Sequence, residues 1–385
     1  MKARRNAAFA ALTMSGVLAM AACSSGGGSA QQSGQGIAKT ITIAAVNDQS
    51  GPVGYAGISA SRGARLAVEQ INGQRFLGEG VTITMPQSDP AGEIERAVSD
   101  MTKAMADNDV SAILGPTLGQ QSAAVAPIVN KSKVPTVFTQ SGSPGVVTGA
   151  YTFRATAPME TYYTKGDKWL ADNGFKQLSL IYNGTLPTYA SLVSDVIKPD
   201  QQKYGLSIDQ TVEVQSTTQD FTSQSQQIAA ARPQAVVMLL TAPQSVTFMK
   251  QLRQAGYTGQ VLGSTNQSAG MIAPAGAAAN SLVYPVDFSA AMDAPASHAF
   301  TAAYTQKYGK SPDPYAAEGF DAIWWIARGI KASNDSSREG VRDGLTKVAG
   351  TGFAGAMGDI TFDGNDMRVP GVIVRWQDGE EDLLE

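Results

Sequence analysis

The stretch "ITIAAVNDQSGPVGYAGISASRGARLAVEQING", residues 41–73, sets the reading of the chain. Its first part, with "KT" before it, is short, apolar and β-branched, which reads as a strand. "NDQSGPVGYAG" then reads as a loop bearing Gly51, Gly54 and Gly57. In "SRGARLAVEQING", Ala64, Leu66, Ala67 and Ile71 form a helical stripe, and Asn72-Gly73 stops it. Strand, glycine loop and helix in that order are the first half of a βαβ unit.

The alternation repeats outward from there. "VTITMPQ", "VSAILG" and "VPTVFT" read as strands, separated by helices over "EIERAVSDMTKAMAD" and "QQSAAVAPIVNKS". After "YTFRATAP" come a helix from Glu160, the strand "LSLIYN" and a helix near "ASLVSDVIKPDQQKYG". "SIDQTVEV", "AVVMLL" and "GQVLGS" follow as strands, with helices over "SQSQQIAAA" and "SVTFMKQLRQAG". Short apolar strands alternating with helices predict parallel sheets covered on both faces. Two successive series predict two lobes, changing over near Ala155 to Met159. Past "NSLVYPVDF" the pattern turns helical, then returns to strands at "GDITFDG" and "VPGVIVRWQDG".

Composition narrows the function. The chain has 385 residues, 43% hydrophobic and 16% charged, which suits a globular protein of two or three lobes. One cysteine and one histidine, Cys23 and His298, exclude an internal disulfide and a zinc site of several such ligands. No lysine- or arginine-rich block occurs, so nucleic acid is not an expected partner. "GPVGYAG" has the wrong spacing for a dinucleotide fingerprint, and "GPTLGQQS" lacks the P-loop lysine. There is no G-x-S-x-G elbow. Glu318 and Asp321 lie one helical turn apart, a spacing that suits a solvated or capping face. No catalytic set, metal or cofactor is expected.

The first residues have a separate logic. "MKARRN" is basic, residues 7–22 are apolar, and small residues precede Cys23, which is the form of an export signal. "MAAC" resembles the lipobox of bacterial lipoproteins, which implies lipidation of Cys23 and a mature chain beginning there. Residues 23–37 then read as a Ser/Gly/Gln tether. Cleavage would remove three basic residues and no acid, taking the formal charge from −4 to −7.

Polar, glycine-bearing loops at strand ends remain: "DQSGPVGY", "GPTLGQQS" and "TQSGSPG". In an open α/β sheet that edge holds ligands, and free N–H groups at a helix start suit an anionic end. These stretches, with "YTFRATAP", "PYAAEGFDAIWWIARGI" and "GDITFDGNDMR", resemble the type I periplasmic binding proteins over about residues 39–378. Within that fold they resemble the leucine/isoleucine/valine-binding receptors of ABC importers.

The resemblance implies an α/β fold of two doubly wound parallel-sheet lobes joined by three crossovers. It places 38–157 and 283–358 in the N-terminal lobe, and 158–282 and 359–385 in the C-terminal lobe. It implies no enzyme but an exported receptor, lipid-anchored on the outer face of the cytoplasmic membrane or in the envelope. That receptor would capture an amino acid, amide or carboxylic acid by hinge closure and deliver it to permease subunits. A sensor signalling to a membrane partner, or an envelope enzyme on the same scaffold, are the alternatives. Site residues carry over by local match. Ser50 and Tyr55 come from the first loop, and Thr117, Gly119 and Gln120 from the second. Thr139, Ser141, Gly142 and Ser143 come from the third. Tyr189, Thr241, Thr265, Tyr315 and Glu318 come from farther along. Gly119 stands where many members have a carboxylate-binding serine, and Thr265 where amino-acid binders have an acid. Glu318, Asp48 or Glu160 could replace that acid.

Overall fold

A computed structural model describes residues 36–143, 145–268 and 270–384. The export signal, Cys23 and most of the tether lie outside these residues. The tether's end is inside them: Gly36 accepts from the Ser336 amide, Ala38 donates to the Ser336 hydroxyl, and Ile37 packs on the core.

The chain begins with β1 (Thr40–Val46), α1 (Gly54–Gly73), β2 (Thr82–Thr84), β3 (Gln87–Ser88) and α2 (Ile94–Ala106). It continues with β4 (Val110–Leu114), α3 (Gly119–Ser132), β5 (Thr136–Phe138) and β6 (Thr152–Arg154). The second series is α4 (Thr164–Asp172), β7 (Gln177–Asn183), α5 (Pro187–Leu192), α6 (Lys198–Tyr204), β8 (Ser207–Val214), α7 (Thr222–Ala231), β9 (Ala235–Leu239), α8 (Ala242–Gln254), β10 (Gln260–Leu262) and β11 (Leu282–Val286). Then come α9 (Pro295–Tyr308), α10 (Pro314–Ser333), α11 (Arg338–Ala349), β12 (Phe353–Gly355), β13 (Gly358–Asp363), β14 (Asp366–Arg368), β15 (Val372–Gln377) and β16 (Glu380–Leu383).

Two sheets result, one per lobe. The first runs β12-β13-β14-β6-β5-β4-β1-β2, with β3 also on β1; the second runs β16-β15-β11-β10-β9-β7-β8. Their central strands are parallel, as alternation predicts.

Several details differ from expectation. "VTITMPQ" is broken at Met85-Pro86, because proline has no N–H for the ladder; Pro86 only accepts, from Ala45, at 2.8 Å. The helix after the first loop starts at Gly54, inside the stretch read as loop. The segment from Glu160 opens as a 3₁₀ turn, Met159–Thr161, before α4.

The late crossovers also move. β11 lies in the second sheet between β10 and β15, although residue 283 was assigned to the N-terminal lobe. β13 and β14, assigned to the C-terminal lobe, form an antiparallel hairpin that joins the first sheet beside β6. Its anchor is a bidentate ion pair between Arg154 on β6 and Asp366 on β14, at 2.7 and 2.8 Å. Only β15 and β16 return to the second sheet.

α10 packs on α1 at very short range. A Cβ on Gly63 would sit 1.8 Å from the Ala316 carbonyl oxygen, and one on Gly319 2.2 Å from that of Ala60. Only glycine permits this approach. Glu318 and Asp321 on α10 are fully buried, so the solvated reading of that pair fails. Asp321 does cap, accepting from the Ala356 and Met357 amides at 2.8 and 2.9 Å. Burial pushes its carboxyl up to about 7 against those two bonds.

Candidate functional site

A cavity of about 130 Å³ opens between the lobes, at the strand ends of both sheets. Three first-lobe devices shape it. The first is the start of α3, where Leu118 provides no side-chain cap, so the first amides, from Gly119 and Gln120, remain available. Thr117 just before it accepts from the Asp48 amide at 2.9 Å and keeps its own O–H to donate.

The second device is the loop after β5. Gln140 stands at φ 57°, a left-handed conformation that is costly for a side-chain-bearing residue. It is held by Glu318, whose Oε2 accepts from the Gln140 amide at 3.1 Å and from its Nε2 at 2.7 Å. Thr156 donates to the same oxygen at 3.1 Å. From the other side, Arg154 Nη1 binds the Ser141 and Ser143 carbonyls at 3.2 and 2.8 Å. Those carbonyls are therefore turned onto a buried guanidinium.

Ser143 has a further role. A Cβ on Gly119 would stand 2.1 Å from Ser143 Oγ, so this hydroxyl fills the space that a side chain at 119 would use. Ser143 Oγ also lies 3.0 Å from Thr188 Oγ1 across the cleft.

The third device is the tyrosine pair carried by α1 and α10. Tyr55 and Tyr315 meet edge to face, with centroids 6.0 Å apart. Tyr315 donates to Asn266 Oδ1 of the opposite lobe at 2.5 Å. The Tyr55 hydroxyl faces the Ala242 amide at the start of α8.

The second-lobe wall is made of side chains bonded among themselves. Tyr189 donates to the Leu240 carbonyl at 3.0 Å and accepts from Asn266. Burial pushes its phenol up to about 12. Thr241 lies 3.1 Å from Gln244 Oε1, and Thr265 donates to Asp287 at 3.3 Å.

Asp287 sits directly behind Glu318. Burial, and next the charge of Asp287, push the Glu318 carboxyl well above the ordinary carboxylate range. The two carboxyls share a side-chain hydrogen bond, and burial raises Asp287 as well. Burial and these two acids also push the Tyr162 phenol far up.

The structure brings Tyr55, Thr117, Gly119, Gln120, Gly142, Ser143, Tyr189, Thr241, Thr265, Tyr315 and Glu318 to the lining. Three expected residues lie outside it. Ser50 is exposed and donates to Asp89 at 2.8 Å. Thr139 is fully buried behind the loop. Ser141 is fully buried, with its hydroxyl 2.5 Å from Ser122 Oγ and 3.3 Å from the Pro116 carbonyl. Of the acids suggested to replace the one missing at 265, Asp48 is held behind Thr117 by Gly92 and Gln121, and Glu160 is exposed outside the lining.

Sequence reading did not name Leu118, Gln140, Met159, Tyr162, Leu186 or Asn266 on the lining, or Arg154 and Asp287 behind it; Thr188 lies in the stretch Pro187 to Tyr189 that matches the family's second-lobe loop. Arg154 lies within the quoted "YTFRATAP", and Asn266 follows Thr265, so proximity to named residues was the available signal. Nothing local marked Asp287.

A family model described as periplasmic binding protein matches residues 40–380. No curated protein matches the chain. A leucine-binding protein from Thermotoga maritima is similar at 23% identity and TM-score 0.79, covering 90% of this chain and 98% of its own. An ABC transporter solute-binding protein from R. palustris, solved with benzoate, is similar at 17% and 0.80, covering 90% and 95%. A branched-chain amino acid transporter binding protein from Streptococcus pneumoniae, solved with isoleucine, is similar at 21% and 0.79, covering 89% and 98%. At these identities the structural likeness establishes the type I fold.

Proposed function

The chain belongs to the periplasmic binding protein family, and from that membership we propose that it is a solute-binding lipoprotein of an ABC importer. The family works outside the cytoplasm, and its fold is that of solute receptors rather than enzymes. Among the described residues no helix is long and apolar enough to cross a membrane. Cys23, at the end of an export signal, would carry the lipid that holds the receptor beside its permease. One acyl chain binds a membrane only marginally, and two or more hold it stably.

The observation that carries this reading is the cavity itself. It lies between the lobes, with the open α3 amides and Ser143 on one wall and Tyr189 and Asn266 on the other. Direct bonds join the walls, from Tyr315 to Asn266 and from Ser143 to Thr188. A ligand touching both walls favours the closed arrangement over the open one, which is what hinge closure requires. The closed form would then dock on the permease and release its small organic solute there.

The test is a thermal-shift screen of the chain from residue 24 onward against amino acids, amides and small aliphatic and aromatic acids. A ligand that binds only the folded state at about 100 times its Kd stabilises by about 2.7 kcal/mol. A clear rise in Tm for at least one member is expected, and a flat response across the screen defeats the solute-binding reading. For the anchor, full-length protein should partition with membranes and Cys23→Ser should not; equal retention removes the lipid.

A further inference from the structure

We propose that the cleft selects a carboxylic acid with an apolar body and no ammonium group, and that Glu318 serves it as a positioning residue rather than as a counter-charge. The inference rests on the solute-binding reading and narrows it.

An α-amino acid presents two charges, and each must find a partner once water is removed. The anionic end has one: the uncapped start of α3 and the Ser143 hydroxyl. The cationic end has no free carboxylate among the described lining residues, only neutral acceptors such as the unpaired Gln140 amide oxygen. Among the described residues Glu318 is the only acid on the lining, and no lysine, arginine or aspartate joins it. Its Oε2 already accepts three hydrogen bonds, two from Gln140 and one from Thr156. The carboxyl is buried and backs onto Asp287, so those bonds leave it little capacity for a ligand cation, and burial and the Asp287 charge favour its neutral form.

Asp287 cannot substitute. It is 1% exposed and is screened from the cavity by Thr265, which bonds it, and by Glu318. Leu118, Met159, Leu186, Tyr55, Tyr162 and Tyr315 give the cavity apolar and phenolic surface beside neutral polar groups such as Thr241, Thr265 and Asn266. That surface suits a branched or aromatic hydrocarbon body.

The same bonds give Glu318 its work. They hold Gln140 in its left-handed conformation, and Gln140 begins the turn that delivers Gly142 and Ser143 to the cavity. A carboxamide can do this as well as a protonated carboxyl. Its oxygen accepts the same donors, and its N–H₂ donates to Asp287.

The experiment is calorimetry on matched pairs: 4-methylpentanoate with L-leucine, and 3-phenylpropanoate with L-phenylalanine. The acid of at least one pair should bind, and its amino partner should be weaker by about 100-fold or more, as when one site group is left unpaired. Glu318→Ala should weaken the acid by about tenfold or more, and Glu318→Gln should recover most of that. Amino acids binding as tightly as the acids overturn the inference and leave the solute-binding reading standing. So does a Gln variant as weak as Ala, which would show that the carboxyl's charge is needed. If both series fail while another solute from the wider screen binds, the ligand class is wrong. If nothing in that screen binds, the solute-binding reading falls too.

Discussion

Behind the first-lobe wall of the cleft stands a buried ion pair, Arg154 with Asp366, and the wall's own Glu318 backs onto Asp287 at the end of β11. Behind the second-lobe wall the partners are mainly neutral, the Leu240 carbonyl for Tyr189 and Gln244 for Thr241, with Asp287 behind Thr265. The first wall presents backbone amides, which cannot rotate to suit a ligand, so the chain carrying them must be fixed from behind. The second wall presents side chains that reach a ligand by themselves. One wall is therefore preorganised at the expense of buried charge, and the other is adjustable.

The sharpest way to break this contrast is at Arg154. Its side chain is 5% exposed and holds both the loop carbonyls and Asp366. Arg154→Ala should cost about 3–5 kcal/mol, the usual result of leaving one charge of a buried pair alone. Denaturant unfolding should show that loss, and the surviving protein should bind ligand poorly. Native-like affinity would mean that the loop holds itself.

A middle-sized effect concerns pH. Glu318 is raised above its ordinary 4.5, chiefly by burial and next by the charge of Asp287. The folded state thus holds a proton that the unfolded chain releases. The stability this represents is complete below about pH 4.5 and is lost as pH rises toward the raised folded value. Glu318→Gln has no such proton to lose, so its Tm should fall less than that of the parent between about pH 5 and 8. Parallel Tm profiles would show that the carboxyl is ionised in the folded protein.

The smallest expected effect is on the adjustable side. Thr188→Val removes the partner of Ser143 and little else, since Ser143 keeps its carbonyl bond to Arg154. It should weaken ligand binding by about 1 kcal/mol, one neutral hydrogen bond. A loss as large as that from Arg154→Ala would erase the distinction between the walls.

Much of this architecture was legible in the sequence. Period and turn chemistry located most helices and strands of both series, because each depends on residues close in the chain. What they could not reveal was which sheet a late strand joins. β13 reads as a strand in isolation, and its place in the first sheet depends on Arg154 meeting Asp366, residues far apart in sequence. The same limit applies at the site. The loop "TQSGSPG" can be picked out from its residues, but which of its serines faces the cavity depends on the left-handed turn at Gln140. That turn puts Ser143 inward and Ser141 into the wall. The resemblance supplied Glu318 as a position, but the bonds that occupy it come from Gln140, Thr156 and the end of β11.

The exchange between Gly119 and Ser143 has a consequence for timing. A hydroxyl carried on α3 would belong to one lobe alone and could keep its grip on a solute while the lobes parted. Here the hydroxyl belongs to a loop and also touches Thr188 on the far side. Parting the lobes would break that touch and leave the serine hydroxyl without its Thr188 partner. On the proposed hinge-closure reading, escape of the solute and opening of the cleft would then be one kinetic event, timed by the gap between Ser143 and Thr188.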